Sequence, residues 1–269
     1  MTKYLKLFFW PLLLAITQFI LITLFTLLFN YKYINNLKIK YPNLNEIEIN
    51  LKFEEISNTE KYIYELSEYL NDFGTIIVII TLILLLPFIL KTYKKLKSTN
   101  IKKLEGKDYL KIIVFSIFLS IGLNIVLYLI NNIIPITNRY DEIKILFYTI
   151  IPTGIIGPIL EEYIFRGIIF NKLKTFKTTK AAIIITTIIF SIMHFELSQI
   201  MYTLVVGFYL TYIYFKTKNI NVPIIAHITI NITTILLLPL ILNTNIYIIF
   251  GILILIILSF FQIFSINYK

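Results

Sequence analysis

Residues 7–29 form one uninterrupted apolar run, LFFWPLLLAITQFILITLFTLLF, with no charged side chain. A helix needs about 20 apolar residues to cross the hydrocarbon core of a bilayer, and this run is long enough. The rest of the chain is similar, because 58% of the 269 residues are hydrophobic, only 15% are charged, and the mean hydropathy is +0.81. Soluble domains carry about 25% charged residues. The sequence therefore predicts a polytopic membrane protein and excludes a soluble domain.

Seven more apolar runs follow, and together the runs predict an all-α transmembrane helix bundle of about eight spans. We divide the chain into N-terminal transmembrane helices with an acidic external loop (residues 1–140, loop 30–72) and a C-terminal helical core (residues 141–269). Within the loop, Ile47–Leu70 is compatible with a short amphipathic helix or with a loose cap. The predicted spans are roughly Leu7–Phe29, Phe73–Leu90, Leu110–Ile130, Ile145–Phe170, Ala181–Phe195, Ser198–Phe215, Val222–Leu242 and Ile246–Ile266.

The net charge of +10 is distributed as expected for membrane topology rather than for nucleic-acid binding. If eight spans alternate, 16 of the 25 basic residues fall on the side of the two termini. The connection at 30–72, on the other side, carries eight acidic residues against five lysines. The positive-inside rule then predicts a multi-pass protein of the cell membrane with both termini in the cytoplasm. The lipid bilayer is the expected partner, and nucleic acid is not.

The supply of reactive side chains is small. The chain has no cysteine, which excludes disulfides, thiol catalysis and thiolate metal sites, and it has only two histidines. A charge at the bilayer centre costs at least about 2.5–3.5 kcal/mol, so strongly polar groups inside the spans are candidates for function. They are Glu161, Glu162 and Arg166 in the fourth span, His194 in the fifth, and His227 with Asn231 in the seventh, with Gln18 and Asn124 as milder cases.

The fourth span separates its two acids. Glu162 and Arg166 are four residues apart, so they share one helical face and are expected to form an ion pair. Glu161 lies about 100° around the helix from Glu162, which leaves it free to face a cavity as a general base. The alternative is a buried ion-pair network of all three at a helix contact. Pro158, just before them, is expected to kink the helix.

The two histidines and the asparagine can also be interpreted as structural residues. A histidine such as His194 can be a hydrogen-bonded packing residue, and Asn231 can simply tie two helices together. His227 and Asn231 are one turn apart and share a face. The functional reading gains weight because both histidines fall on core helices of the same half as the acidic pair.

Three spaced motifs occur in order along these spans: Glu161-Glu162-x-x-x-Arg166, Phe190-x-x-x-His194 and His227-x-x-x-Asn231. Together they resemble the signature of the CAAX-protease and bacteriocin-processing (CPBP, or Abi) family of intramembrane proteases, which includes the type II CAAX prenyl endopeptidase. The flanking residues resemble the family too, and the resemblance covers about residues 150–238. The first three spans and the acidic loop carry no such resemblance.

The resemblance implies roles for six residues. Glu161, assisted by His194, would activate water, and His227 with Asn231 would stabilise the tetrahedral oxyanion. Glu162 and Arg166 would orient the site. It also leaves a zinc alternative, with Glu161, His194 and His227 as ligands. We favour the glutamate-type reading without a cofactor, because Asn231 is a poor zinc ligand and a good oxyanion donor.

The expected function is therefore hydrolysis of a peptide bond in a membrane-associated protein or peptide, either a CAAX-type tail or a bacteriocin or leader peptide. Two other classes stay open. A non-catalytic immunity or scaffold protein could keep the same fold, and an ion-coupled transporter could use the same buried acids and histidines. A transporter would be expected to show inverted repeats, and none is evident in the sequence.

Overall fold

The computed structural model describes residues 2–98, 100–133 and 150–241, and in these ranges every regular element is a helix. Among the described residues we number eight helices, of which α5 (residues 150–173) is a composite of four consecutive segments. The helices are α1 Thr2–Lys40, α2 Glu46–Ser57, α3 Glu60–Leu96, α4 Gly106–Ile133, α5 (Ile150–Ile156, Gly157–Glu162, Tyr163–Phe170 and Asn171–Leu173), α6 Thr179–Ile192, α7 Leu197–Thr217 and α8 Asn221–Ile241.

This architecture confirms the predicted all-α transmembrane bundle. In the part of the chain that the structure describes, four helices are long and apolar enough to cross a membrane, over Leu7–Lys40, Glu60–Leu96, Gly106–Ile130 and Leu197–Thr217. Two shorter apolar helices accompany them, Thr179–Ile192 and Asn221–Leu236. The predicted eighth span, Ile246–Ile266, and the beginning of the fourth, before residue 150, lie outside the described residues.

The acidic segment at 30–72 is mostly helical rather than a loose cap. Helix α1 continues past Phe29 to Lys40, and α3 begins at Glu60. The single amphipathic helix expected over Ile47–Leu70 is divided, because the Thr59 side chain caps α3 directly after α2 ends. An aromatic cluster holds the three helices together and includes Phe53 and Tyr62, whose ring centroids are 5.8 Å apart. Contacts between aromatic rings thus stabilise helices in this acidic segment, where the polar composition alone would not.

The apolar core joins helices from both predicted parts of the chain. One cluster packs Leu85, Ile89 and Tyr93 of α3 against α5 and α6, and a second packs α4 against α7 and α8. Contact between α3 and α5 is close at Gly167, where a Cβ atom would lie 2.9 Å from the Tyr93 ring. The N-terminal helices therefore pack directly against the helices that carry the candidate residues.

Candidate active site

Four of the six predicted residues line one cavity of about 400 Å³: Glu161, His194, His227 and Asn231. They come from α5, from the turn after α6, and from α8. The packing of these helices brings the four side chains to a common space. Glu162 and Arg166 are completely buried beside it.

Helix α5, which lies in the predicted fourth span, is not α-helical throughout. Residues Ile150–Ile156 and Tyr163–Phe170 are π-helical, and a single α-helical segment, Gly157–Glu162, lies between them. Short π-helical segments are rare and are often found at functional sites. Both acids are therefore carried at the end of a short α-helical segment, directly before the second change of register.

Proline at position 158 explains how Asn231 is held. In the π register, the carbonyl of Thr153 pairs with the N–H of residue 158, and a proline has no N–H to donate. The side chain of Asn231 donates to this carbonyl instead, with Nδ2 2.8 Å from the Thr153 oxygen. One amide hydrogen of Asn231 is thereby used, and the second is left for another acceptor. The expected kink at Pro158 is thus a change of register that anchors α8 to α5.

The predicted ion pair between Glu162 and Arg166 is present. Arg166 Nη1 lies 2.6 Å from Glu162 Oε1, and both side chains are fully buried. The same carboxylate oxygen lies 2.8 Å from Nδ1 of His227, a contact that helical spacing within the fourth span could not predict. Glu161 has no contact with Arg166 within ion-pair distance, so the alternative of one network of all three residues is not what forms.

The guanidinium group of Arg166 is further held by α7. Its Nη2 donates to the Gly207 carbonyl at 3.1 Å, and its Nε donates to Thr211 Oγ1 at 3.3 Å. The absence of a side chain at Gly207 makes room for the neighbouring ring of Phe190, since a Cβ atom there would lie 2.8 Å from this ring. The requirement at position 207 is therefore for space rather than for backbone flexibility.

Phe190 is the apolar centre of the site. Its buried ring lies 4.4 Å from the guanidinium carbon of Arg166, a cation–π contact. The rings of His194 and His227 pack edge-on against it, with centroids 4.9 and 5.8 Å away. The Phe190-x-x-x-His194 spacing thus places one aromatic ring against both histidines and the arginine.

His194 does not lie within a helix, as the predicted fifth span required. Helix α6 ends at Ile192, and His194 is in the turn that follows. The helix ends because Phe195 adopts a left-handed backbone conformation, with φ of 59°. This conformation is uncommon for a bulky residue and resembles the left-handed position that often terminates helices. Because the short helix ends before His194, this residue lies in a turn that lines the cavity.

Hydrogen bonding defines the tautomer of each histidine. His194 Nδ1 lies 2.9 Å from the carbonyl oxygen of Phe190, which can only accept, so Nδ1 carries the proton. His227 Nδ1 faces the carboxylate of Glu162, which also accepts. In its neutral form each histidine therefore has an unprotonated Nε2. Nε2 of His227 is the atom nearest Glu161, 3.9 Å from Oε2.

The donor set has one feature in common with metal sites. An Nδ1–H bonded to a carbonyl or carboxylate is the arrangement found behind metal-bound histidines, and both histidines have it. Nevertheless, the described residues contain no three His, Asp or Glu side chains grouped closely enough to hold an ion. The geometry of Glu161, His194 and His227 therefore does not fit the three-ligand zinc site.

Sequence reasoning missed a polar cluster behind the cavity. The hydroxyls of Tyr202 and Thr234, both at the cavity wall, are 3.1 Å apart. Ser120 lies 2.8 Å from Thr234 Oγ1, and Asn124 donates to the same oxygen at 3.1 Å. The signal was present in α4, where Ser116, Ser120 and Asn124 are buried and recur at a spacing of four residues. The N-terminal helices also reach the cavity, through Gln18 of α1 and Val78 of α3.

Two comparisons with known proteins found similarity to this chain. Residues 143–233 match the family described as type II CAAX prenyl endopeptidase Rce1-like. YdiL of Bacillus subtilis, a protein described as a candidate membrane peptidase, is 41% identical over 91 residues, which are 34% of this chain and 37% of YdiL. The chain thus matches little more than a third of that relative. No solved structure matches the chain with significant similarity. Glu161, His194, His227 and Asn231 all fall within the matched segment, and over residues 143–233 the chain is similar to this family of prenyl endopeptidases.

Proposed function

We propose that the protein is an intramembrane endopeptidase that hydrolyses a peptide bond of a membrane-associated protein or peptide, with Glu161 as the group that activates water. The observation that carries the proposal is the convergence of Glu161, His194, His227 and Asn231 on one cavity. Glu161 is the only one of the three fourth-span candidates that reaches it, and its side chain is 27% exposed. It can therefore meet both water and substrate.

In this proposal Glu161 takes a proton from the attacking water and later delivers it to the leaving amine. His194 holds the same water, because its Nε2 accepts a hydrogen bond while Nδ1 remains bonded to the Phe190 carbonyl. The fixed Nδ1 contact prevents the ring from turning. Attack of the water on the carbonyl carbon forms a tetrahedral oxyanion, and breaking the C–N bond releases the two peptide fragments.

The oxyanion would be bound by Asn231 and His227. Asn231 supplies the amide hydrogen that Thr153 does not use. His227 can donate from Nε2 only if it is protonated on both nitrogens, since Nδ1 already donates to Glu162. A preorganised donor pair of this kind is the usual source of oxyanion stabilisation.

The substrate class follows from the family and the setting. A prenylated CAAX-type tail and a bacteriocin or leader peptide both present a peptide bond next to the membrane. The glutamate-type mechanism is preferred to the metallo-type because the described ligand geometry does not fit an ion. A transporter is disfavoured because Glu162, Arg166 and His227 hold one another in a fixed network rather than forming a path.

The decisive experiment compares Glu161→Gln with Glu55→Gln in purified protein reconstituted into lipid. Fluorogenic peptides carrying a farnesylated CAAX tail, and leader-type peptides with a single membrane anchor, serve as probes. Glu161→Gln should abolish cleavage while its unfolding midpoint stays unchanged. Glu55 is exposed on α2, so Glu55→Gln should cleave like the unsubstituted protein. Equal cleavage by both variants would refute the role of Glu161. Absence of cleavage by both variants and by the unsubstituted protein would favour the non-catalytic scaffold.

A further inference from the structure

Gln18 of α1 is a polar residue of the cavity that lies outside the segment matched to the family. It is half-buried in the apolar run 7–29, with about 16 Å of helix between it and Leu7. That distance is roughly half the hydrocarbon thickness, so Gln18 lies near the membrane centre. No side chain or backbone group among the described residues hydrogen-bonds to its amide.

A partnerless amide at this depth is costly. Lipid offers no hydrogen bonds, and leaving an amide unsatisfied in an apolar medium opposes folding. The nearby hydroxyl of Thr17 shows the usual solution, because it bonds to the Leu13 carbonyl of its own helix. Gln18 has no such bond within α1. Its hydrogen-bonding partners must therefore come from within the cavity.

The other amide side chains of the cavity are already engaged. Gln199 donates to Glu196 at 2.9 Å, and Asn231 donates to the Thr153 carbonyl at 2.8 Å. The hydroxyls of Tyr202 and Thr234 are bonded to each other. Gln18 therefore presents both its donor and its acceptor to the cavity, on a wall formed by α1 rather than by α5, α6 or α8.

We propose that Gln18 binds the main chain of the peptide substrate and is a positioning residue supplied by α1. This inference rests on the proposed peptidase function. An extended peptide that enters a cavity at membrane depth must find partners for its own N–H and C=O groups. A glutamine amide offers one donor and one acceptor group of the same kind, so it matches a backbone amide of any sequence. It would help to fix the register of the peptide without selecting its side chains.

The test measures binding in the inactive Glu161→Gln background, so that turnover does not enter the measurement. The probes are the two peptides used above, a farnesylated CAAX peptide and an anchored leader-type peptide, each labelled with fluorescein. Adding Gln18→Met, which keeps the length of the side chain and removes its hydrogen bonds, should weaken binding by roughly two- to ten-fold. Adding Thr17→Val, the matched control on the same helix, should leave binding unchanged.

A structural role is distinguished by stability. If Gln18 supported the fold, Gln18→Met would lower the unfolding midpoint, whereas a substrate-binding role predicts a midpoint that is equal or higher. The same peptides with single backbone esters add a double-mutant cycle, since the ester that removes the contacted N–H should abolish the difference in binding between proteins with and without Gln18→Met. Equal binding of the all-amide peptides by these two proteins would overturn this inference alone. Binding of neither peptide to the Glu161→Gln protein would overturn the peptidase proposal and this inference with it.

Discussion

Nδ1 of His227 lies 2.8 Å from Oε1 of Glu162, and this contact joins α8 to α5 across 65 positions of sequence. The same oxygen lies 2.6 Å from the guanidinium group of Arg166. One carboxylate oxygen of Glu162 therefore accepts two hydrogen bonds, one from Arg166 and one from His227. Glu162 binds a cavity residue directly and at the same time compensates a buried arginine, so its structural and functional contributions cannot be separated by a single substitution.

Glu162→Gln should lower both stability and activity. The substitution leaves the buried guanidinium of Arg166 without its counter-charge, and breaking one side of a buried pair typically costs about 3–5 kcal/mol. It also weakens the anchor of His227. We expect a lower unfolding midpoint in lipid together with slower peptide cleavage, measured on the same preparations.

The double variant Glu162→Gln, Arg166→Met separates these two effects. Removing the arginine charge removes the uncompensated cation, so much of the lost stability should return. Activity should not return, because His227 still lacks its carboxylate partner. Recovery of cleavage in parallel with stability would show that Glu162 acts only through the fold.

Gly207→Ala should damage the site from α7. The added Cβ would approach the Phe190 ring to 2.8 Å, and this ring is packed against Arg166 and both histidines. Overpacking of this kind costs about 1–3 kcal/mol. Gly74→Ala is the matched control, because a Cβ there meets no atom within 4 Å. The thermal unfolding midpoint and the cleavage rate should both fall for Gly207→Ala, and both should stay unchanged for Gly74→Ala.

Much of this arrangement could be predicted from local spacing. The pair formed by Glu162 and Arg166 follows from a separation of four residues, and hydrophobicity alone predicted the helical bundle. Contacts between helices could not be predicted in this way. The partner of His227 lies on another helix, and its identity depends on how α5 and α8 pack.

Two departures from regular helix also escaped prediction. The π register of α5 depends on where the missing N–H of Pro158 falls relative to the Thr153 carbonyl, and a proline signals only a break or kink. The early end of α6 depends on Phe195 adopting a positive φ, for which phenylalanine has no preference. Tertiary packing over-determines both positions, and no short sequence pattern reports them.

Membrane orientation can be tested with one position before α3, in α2, and one position in the last turn of α3. The helix runs from Glu60 to Leu96, about 55 Å, which exceeds the hydrocarbon thickness, so we expect its ends on opposite sides. The positive-inside rule puts the acidic end outside. A single cysteine at Glu55→Cys should therefore react with an impermeant maleimide in intact cells, and one at Lys95→Cys should react only after permeabilisation. The chain has no native cysteine to interfere. The reverse labelling pattern would show that the topology is the opposite of the one predicted.

Asn231→Ala tests the metal-free mechanism. If the second amide hydrogen of Asn231 binds the oxyanion, its removal should slow cleavage by roughly 10²–10³-fold, the usual cost of one lost oxyanion donor. The fold should be only mildly affected, because the lost contact to Thr153 is a single hydrogen bond on a half-buried side chain. Peptide binding to the variant should remain close to that of the unsubstituted protein.

Treatment with a chelator completes this test. A mechanism in which Glu161 and His194 activate water needs no ion to generate the nucleophile, so chelated protein should retain its cleavage rate and metal analysis should find no stoichiometric zinc. A zinc enzyme loses activity when its metal is stripped and regains it on readdition, because the metal supplies the nucleophile and polarises the carbonyl. In that case His227→Ala would lose bound zinc as well as cleavage, whereas Asn231→Ala would keep the metal. The glutamate-type mechanism would be refuted by one zinc per chain, with activity lost on its removal and regained on its return. Glu161, His194 and His227 would then be reassigned as ligands that a rearrangement of α6 and α8 brings together.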